Sequence, residues 1–436
     1  MNLEPKRSRN TKEQKLLDEA ERLLPASART PTASPDSAMI IQSGQGARVF
    51  DLSGNEYLDY LLGSGPMLVG HAHPVVTAAV GEALERGASF LLPTEASVEL
   101  AREIVRSTPC ADRVVFGNTG SDGVVFAIRL ARAYRKRDKI LKFEGAYHGQ
   151  GDALLMSNQW TRDPADFPEP VPNSIGLPAH TQEEVLIAPW NDIDRTAEIL
   201  DRHADELACV IAEPMQRTMP PRGGFLEELR RLTEKLDVPL IFDEVVTGYR
   251  LAYASGQGYY GVTPDLSVLG KSLSAGHPLS VVVGRSDLMD FAEGARRVTG
   301  DYVSLTGTYS GNPISCTAAL AALGLLRAPG VYERLFDRGR RLMAGSRQSF
   351  EAVGVPVQVV GEPPAFEVWF SDKEVFDFRS ASRSDAALSF RFGQALLDRG
   401  IMKGHEKFFV SIAHTDEDID YTLDVIQDAA HELAQG

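Results

Sequence analysis

Several short apolar runs in this sequence stop at a residue of a kind that does chemistry. Leu266-Ser267-Val268-Leu269-Gly270 leads to Lys271. An amine placed just past an apolar strand is desolvated, which lowers its pKa and frees the neutral nucleophile to form a Schiff base with a carbonyl. Pro239-Leu240-Ile241-Phe242 leads to Asp243, with Val245 two residues on. A carboxylate at the end of so apolar a strand is costly to bury unless a cation meets it, and a protonated pyridine nitrogen is a good partner. Ile140 to Phe143 leads through Glu144-Gly145-Ala146 to Tyr147-His148-Gly149, where an aromatic ring can stack on a flat heteroaromatic one. Val114-Val115-Phe116 leads through Gly117-Asn118-Thr119 to Gly120 and Ser121 at the head of an amphipathic helix, whose N–H groups and positive dipole end suit a phosphate.

Singly, each motif has a plainer reading: a capped helix start, a buried tyrosine, a metal site or salt bridge, a solvated lysine. Together they describe the needs of one phosphorylated, electron-poor aromatic cofactor. Two further stretches are weaker alone. Ala212-Glu213-Pro214 ends another apolar run and offers a polar contact near such a ring. Gly307-Thr308-Tyr309-Ser310-Gly311-Asn312-Pro313 offers hydroxyls and turns ahead of an Ala-rich helix, or simply a capped helix start. Other catalytic patterns fail: no G-x-S-x-G, H-E-x-x-H or C-x-x-C occurs, and a P-loop ending in Gly270-Lys271-Ser272 would need glycine where Asp265 stands. His71 and His73 have no identifiable third ligand, so they read as structural and no metal is expected.

Elements must bring these residues together. Apolar strands at 114–116, 140–143, 209–212, 240–242 and 266–269 alternate with helical segments, which predicts a parallel sheet with helices on both faces and ligands at the strand C-termini. Ahead of it, Arg48-Val49-Phe50-Asp51 and Glu56-Tyr57-Leu58-Asp59-Tyr60 flank Ser53-Gly54-Asn55 and predict a hairpin. Residues 1 to about 12 are expected to be disordered, Gln14 to Leu24 helical, and Pro25 to Ser37 a linker. Ser157 to His180 holds five prolines and little periodicity, as functional or mobile loops do. These signals divide the chain into residues 1–12, an N-terminal part of a small domain at 13–75, a large domain at 76–328 and a C-terminal α+β part at 329–436.

With 436 residues and 43% apolar content, the chain can bury an enzyme-sized core. Its formal charge of −15 argues against nucleic acid or an anionic membrane as default partner. Cys110, Cys209 and Cys316 are few and scattered, which fits a reducing cytosol, and the basic N-terminus leads into no signal-peptide core. No apolar run is long enough to span a bilayer. A cytoplasmic protein with small-molecule substrates is expected.

Nearly the whole chain, from about Leu23 to Leu433, resembles the class III pyridoxal 5′-phosphate (PLP)-dependent aminotransferases, and within them the glutamate-1-semialdehyde 2,1-aminomutase-like branch. The resemblance rests on Phe116-Gly117-Asn118-Thr119-Gly120-Ser121, Ala127-Ile128-Arg129-Leu130-Ala131-Arg132, Lys142 to Gly149, Phe242-Asp243-Glu244-Val245, Leu269-Gly270-Lys271 and Gly307 to Pro313. It implies the α/β architecture of fold type I: a large, mostly parallel-sheet domain plus a small α+β domain from both chain ends, assembled as a homodimer. Lys271 then resembles the Schiff-base lysine and proton shuttle, and Asp243 the partner of the pyridine nitrogen. Tyr147 and Val245 resemble the two sides of the ring sandwich, Gly120 and Ser121 the phosphate loop, and Thr308 a phosphate ligand donated across the dimer. His148 and Glu213 complete the implied cofactor site. The implied reaction moves an amino group from an amino donor to an aldehyde or ketone acceptor. The alternatives are intramolecular transfer as in the aminomutase, epimerisation, decarboxylation, or a non-catalytic homologue.

Departures from the aminomutase pattern bear on substrate. Its carboxylate-holding arginine aligns with Ala33 in Thr30-Pro31-Thr32-Ala33, with Arg29 nearby, and its pocket tryptophan aligns with Ser64. The usual Thr-Glu-Ala is Ser121-Asp122-Gly123, and the turn after the lysine is Ser274-Ala275-Gly276-His277. Near Gly404-His405-Glu406-Lys407 no arginine stands where some ω-aminotransferases place one. Loss of a charge-assisted carboxylate contact costs roughly one to a few kcal/mol. A substrate other than glutamate semialdehyde is therefore expected, larger or less acidic.

Overall fold

The first apolar alternation folds as an antiparallel array of β1 (Ile41–Gln45), β2 (Arg48–Asp51) and β3 (Glu56–Asp59), with Val49 opposite Tyr57. The predicted turn is fixed by the carboxylate of Asp51, whose Oδ1 accepts from the backbone N–H of Ser53 at 3.0 Å and of Asn55 at 2.8 Å. The computed structural model describes residues 8–25, 38–158, 164–404 and 407–435. The N-terminal helix starts at Thr11, earlier than its apolar spacing suggests, because the Asn10 side chain caps it by accepting from Glu13 N at 2.9 Å. Residues 8 to 12, within the segment expected to be disordered, thus include this cap and the first helical residues. The first seven residues and 26–37 of the expected linker lie outside the described part.

The strand–helix alternation builds one seven-stranded sheet. Its strands are β4 (Arg113–Gly117), β5 (Lys139–Phe143), β6 (Val185–Ala188), β7 (Leu207–Ala212), β8 (Leu240–Glu244), β9 (Leu266–Leu269) and β10 (Ser280–Gly284), in the order β4-β10-β9-β8-β7-β5-β6. All pairs are parallel except the two made by β10, which runs antiparallel to β4 and β9. Since β10 reverses twice, β4 keeps the sense of the others, and the C-terminal ends of β4, β5, β7, β8 and β9 emerge along one edge. Strands β5 to β9 are almost wholly buried, the mark of a sheet covered on both faces. The helix Gly120–Arg135 lays Val124, Ala127, Ile128 and Ala131 against it in a core shared with Ile140, Cys209, Ile241 and Val268.

The remaining strands are β11 (Gln358–Glu362), β12 (Ala365–Trp369), β13 (Ile401–Met402) and β14 (Phe408–Phe409). β13 pairs parallel with β3, and β11-β12-β14 form a separate small sheet. The chain divides into two units, one of residues up to Pro74 with Ala328–Val375 and Arg383–Gly436, the other of Val75–Arg327 with Phe376–Ser382. The large unit thus includes a strap, Phe376–Ser382, that a boundary near residue 329 leaves out. Long-range pairing captures it: Arg379 forks onto Glu144 at 2.8 and 3.1 Å and covers the ring of Phe167 at 4.2 Å. The stretch expected to be one long loop is tied across its base, with Ser157 N donating to Val171 O at 2.7 Å and Asn173 N to Leu155 O at 3.0 Å.

Candidate active site

The candidate residues stand along that shared edge. Asp243 is the fourth residue of β8 and pairs with Val268 in β9, two residues before Gly270, and Lys271 follows. Asp243 is buried; its Oδ2 meets His148 Nδ1 at 2.8 Å and its Oδ1 accepts from Val245 N at 3.1 Å. An ionised carboxylate accepts, so Nδ1 carries the proton. The other ring nitrogen, Nε2, is buried with no hydrogen-bond partner among the described residues.

Lys271 opens a 3-10 turn with a left-handed φ of 43°. Its amine makes no hydrogen bond or ion pair among the described residues. Burial pushes its pKa down to about 8, with Asp243 opposing and Arg217 assisting. The neighbouring Glu244 is also buried, but it is consumed by Thr247, Gln257 and the backbone N–H of Gly256, and burial raises its pKa.

At the end of β4, Thr119 caps the helix and forms a reciprocal box with Asp122. The N–H groups of Gly120 and Ser121 belong to the first turn, which has no intrahelical acceptors. A Cβ on Gly120 would sit 2.9 Å from Val245 Cγ2, so only glycine lets this helix start against the valine. Ser121 Oγ accepts from Gln150 N at 3.1 Å and keeps its own proton to donate.

The loop after β5 carries Tyr147, which is 42% exposed; its N–H donates to Glu213 Oε1 at 2.9 Å and its hydroxyl accepts from Gln150 Nε2 at 2.9 Å. Glu213, placed by sequence beside the ring, also accepts from Arg217 N at 3.1 Å. Two residues that anchor this region escaped sequence reasoning. Lys142 reads as an ordinary strand residue, yet its fully buried amine donates to the carbonyls of Ala146, Leu154 and Met156 at 3.1, 3.3 and 2.5 Å, and burial lowers its pKa to about 7. Arg217 carried no signal beyond its nearness to Glu213, and its guanidinium lies 5.9 Å from the centre of the Tyr147 ring. Thr308 is not tied to these groups; it is exposed, and its carbonyl accepts from Ser89 Oγ at 3.4 Å.

Residues 30–429 match the family described as aminotransferase class-III. The chain belongs to the class III aminotransferases. It is an enzyme of that family with fold type I. It is 39% identical over 421 residues to a glutamate-1-semialdehyde 2,1-aminomutase of Desulforudis audaxviator, covering 94% of this chain and 95% of the relative. An ω-transaminase from Sphaerobacter thermophilus superposes with a TM-score of 0.90 at 32% identity, covering 97% of this chain and 98% of that one. A transaminase with PLP bound gives 0.88 at 29% identity over 98% and 99%.

Of the positions where this class III aminotransferase departs from the aminomutase pattern, Ser64 lies in the other unit, exposed at a left-handed φ of 69°. His277 is half-buried, and its carbonyl accepts from Ser274 Oγ at 2.5 Å. Arg29, Ala33, His405 and Glu406 lie outside the described residues. His71 is paired with Asp59 at 2.7 Å.

Proposed function

We propose that this enzyme uses PLP, held by Lys271, to move an amino group from a small amino donor to an aldehyde or ketone. The observation that carries the reading is the meeting, on one sheet edge, of a depressed-pKa lysine, a buried carboxylate backed by a histidine, and a glycine-opened helix N-terminus. These fit the cofactor group by group. Bound there, PLP supplies an electron-withdrawing ring and a carbonyl carbon able to take up an amine.

The protein supplies the rest. Lys271 Nζ would hold the cofactor through that carbon, and as a free amine beside it would carry a proton from the substrate carbon to the cofactor carbon, which is the transfer that moving an amino group requires. Asp243 keeps the ring nitrogen protonated, and His148 holds Asp243 in place. Tyr147 and Val245 would bound the ring of the cofactor, while Gly120, Ser121 and the helix dipole would receive its phosphate. Glu213 acts through Tyr147, fixing the loop that presents the ring.

We also read the enzyme as a cytoplasmic homodimer in which Thr308 serves the partner's phosphate site. Ser89, which bonds Thr308, adjoins Phe90, Leu91 and Leu92, exposed by 52%, 79% and 74%; so apolar a patch suits burial against a second copy. All three cysteines are free, as a reducing compartment would keep them.

The test is the visible spectrum of the PLP-loaded protein as glutamate or alanine is added without acceptor. Bleaching of the cofactor band identifies a transaminase half-reaction and its donor; a protein that takes up no PLP overturns the reading. Intramolecular transfer is the second reading, favoured by the aminomutase relatives. It predicts turnover of a single amino-carbonyl substrate with no separate donor.

A further inference from the structure

The turn after β7 holds a cation that the proposed chemistry leaves without a task. Gln216 and Met219 exchange both backbone hydrogen bonds, at 3.0 and 2.8 Å, so Arg217 and Thr218 are the central residues of a two-residue turn. Arg217 adopts a φ of 59° and Thr218 does not share it, the pattern of a turn whose first central position is ordinarily glycine. An arginine stands there against that preference. The backbone N–H of Arg217 is pinned to Glu213, which also holds Tyr147, so the turn and the Tyr147 loop are set by one carboxylate. The guanidinium then lies near the Tyr147 ring.

Arg217 and Arg250 both bear on the charge of Lys271. Arg250 is fully buried and bonds Val246 O at 3.1 Å and Ser272 Oγ at 2.9 Å, so it belongs to the scaffold. Arg217 is only half-buried and faces the exposed Tyr147. A planar guanidinium at the mouth of an amine-handling site is built to take a carboxylate through two parallel hydrogen bonds.

Resting on the PLP reading above, we propose that Arg217 is the specificity residue that binds a carboxylate of the amino substrate, selecting carboxylated amines over plain amines. The charge that the sequence lacks at Ala33 would thus come from a different element.

The experiment compares PLP-loaded wild type with Arg217→Gln and Arg217→Lys. Alanine, β-alanine and 4-aminobutanoate are set against ethylamine and propylamine, which lack the carboxylate, by the rate and half-saturation of cofactor bleaching. Succinate binding is followed by calorimetry. The expected result for Arg217→Gln is a weakening of about tenfold or more in half-saturation by carboxylated donors and in succinate affinity, over and above any change shared with the plain amines. Arg217→Lys should fall between. Equal losses on both amine classes would reduce Arg217 to a positioning residue for Tyr147 or Lys271, and no loss on either would also overturn the proposal. An unchanged melting temperature and cofactor band in the variants guards against misfolding. If wild type takes up no PLP, the cofactor reading fails, and succinate calorimetry on the same protein still decides for or against Arg217.

Discussion

Lys271 sits where burial moves its amine away from its chemistry in water. With its pKa near 8 instead of 10.5, it becomes neutral within the physiological range. Borohydride-trapped uptake of PLP by cofactor-free protein should therefore rise with pH through about 8 and level off, whereas an ordinary lysine would keep gaining to beyond pH 10. The same shift has a stability sign: between about pH 8 and 10.5 the unfolded chain binds the proton that the folded chain has released, so the cofactor-free protein should gain stability as pH rises through that window. Chemical denaturation at several pH values checks it, and Lys271→Ala should abolish both the trapping and this part of the pH dependence. Asp243→Asn should retain PLP and slow the half-reaction on the order of a hundredfold, measured by stopped-flow bleaching. Lys271, Asp243 and Tyr147 were legible as candidates because their motifs, each with a plainer reading alone, jointly suit one cofactor. The bond of His148 to Asp243, and Arg217 altogether, were different. The histidine's bond to Asp243 spans 95 residues of chain, and the arginine's place beside Tyr147 exists only once β5 and β7 are adjacent.

Among the elements, the strands that sequence located are those with runs of branched apolar residues, and the structure has each of them. β10 was visible only as the apolar run Val281-Val282-Val283, and its antiparallel direction had no local signal; its partner β4 is settled by register, Val282 opposite Val115. The helix start at Gly120 makes a sharp prediction. Gly120→Ala places a methyl group against Val245, and should cost about 1–3 kcal/mol and loosen PLP while leaving the far-ultraviolet spectrum intact. The Lys142 clamp makes another. Lys142→Met keeps the apolar stem but leaves the carbonyls of Ala146, Leu154 and Met156 without their buried donor. A loss of about 2–4 kcal/mol in denaturant unfolding is expected, with weaker cofactor retention because the Tyr147 loop is released.

At the scale of the molecule, composition argued against nucleic acid and anionic membrane as default partners and the resemblance indicated the fold, but neither could show which surface a second copy would cover. If Phe90 to Leu92 lie at that interface, Leu91→Glu with Leu92→Glu should shift sedimentation from dimer to monomer and remove activity together with Thr308's contribution. The strap was illegible for a plain reason. Its sequence, Phe376-Asp377-Phe378-Arg379-Ser380-Ala381-Ser382, is short and carries no periodicity that names its destination, which is set by the fork on Glu144 and by Phe378 lying over Gly145, where any side chain would collide with that ring. The large unit is consequently not a contiguous cassette. A gene fragment cut at Val75 and Arg327 would encode every proposed cofactor contact yet omit the piece that locks the Tyr147 loop from outside. Grafting or recombining this unit would have to carry two stretches of coding sequence, or supply the strap as a separate peptide.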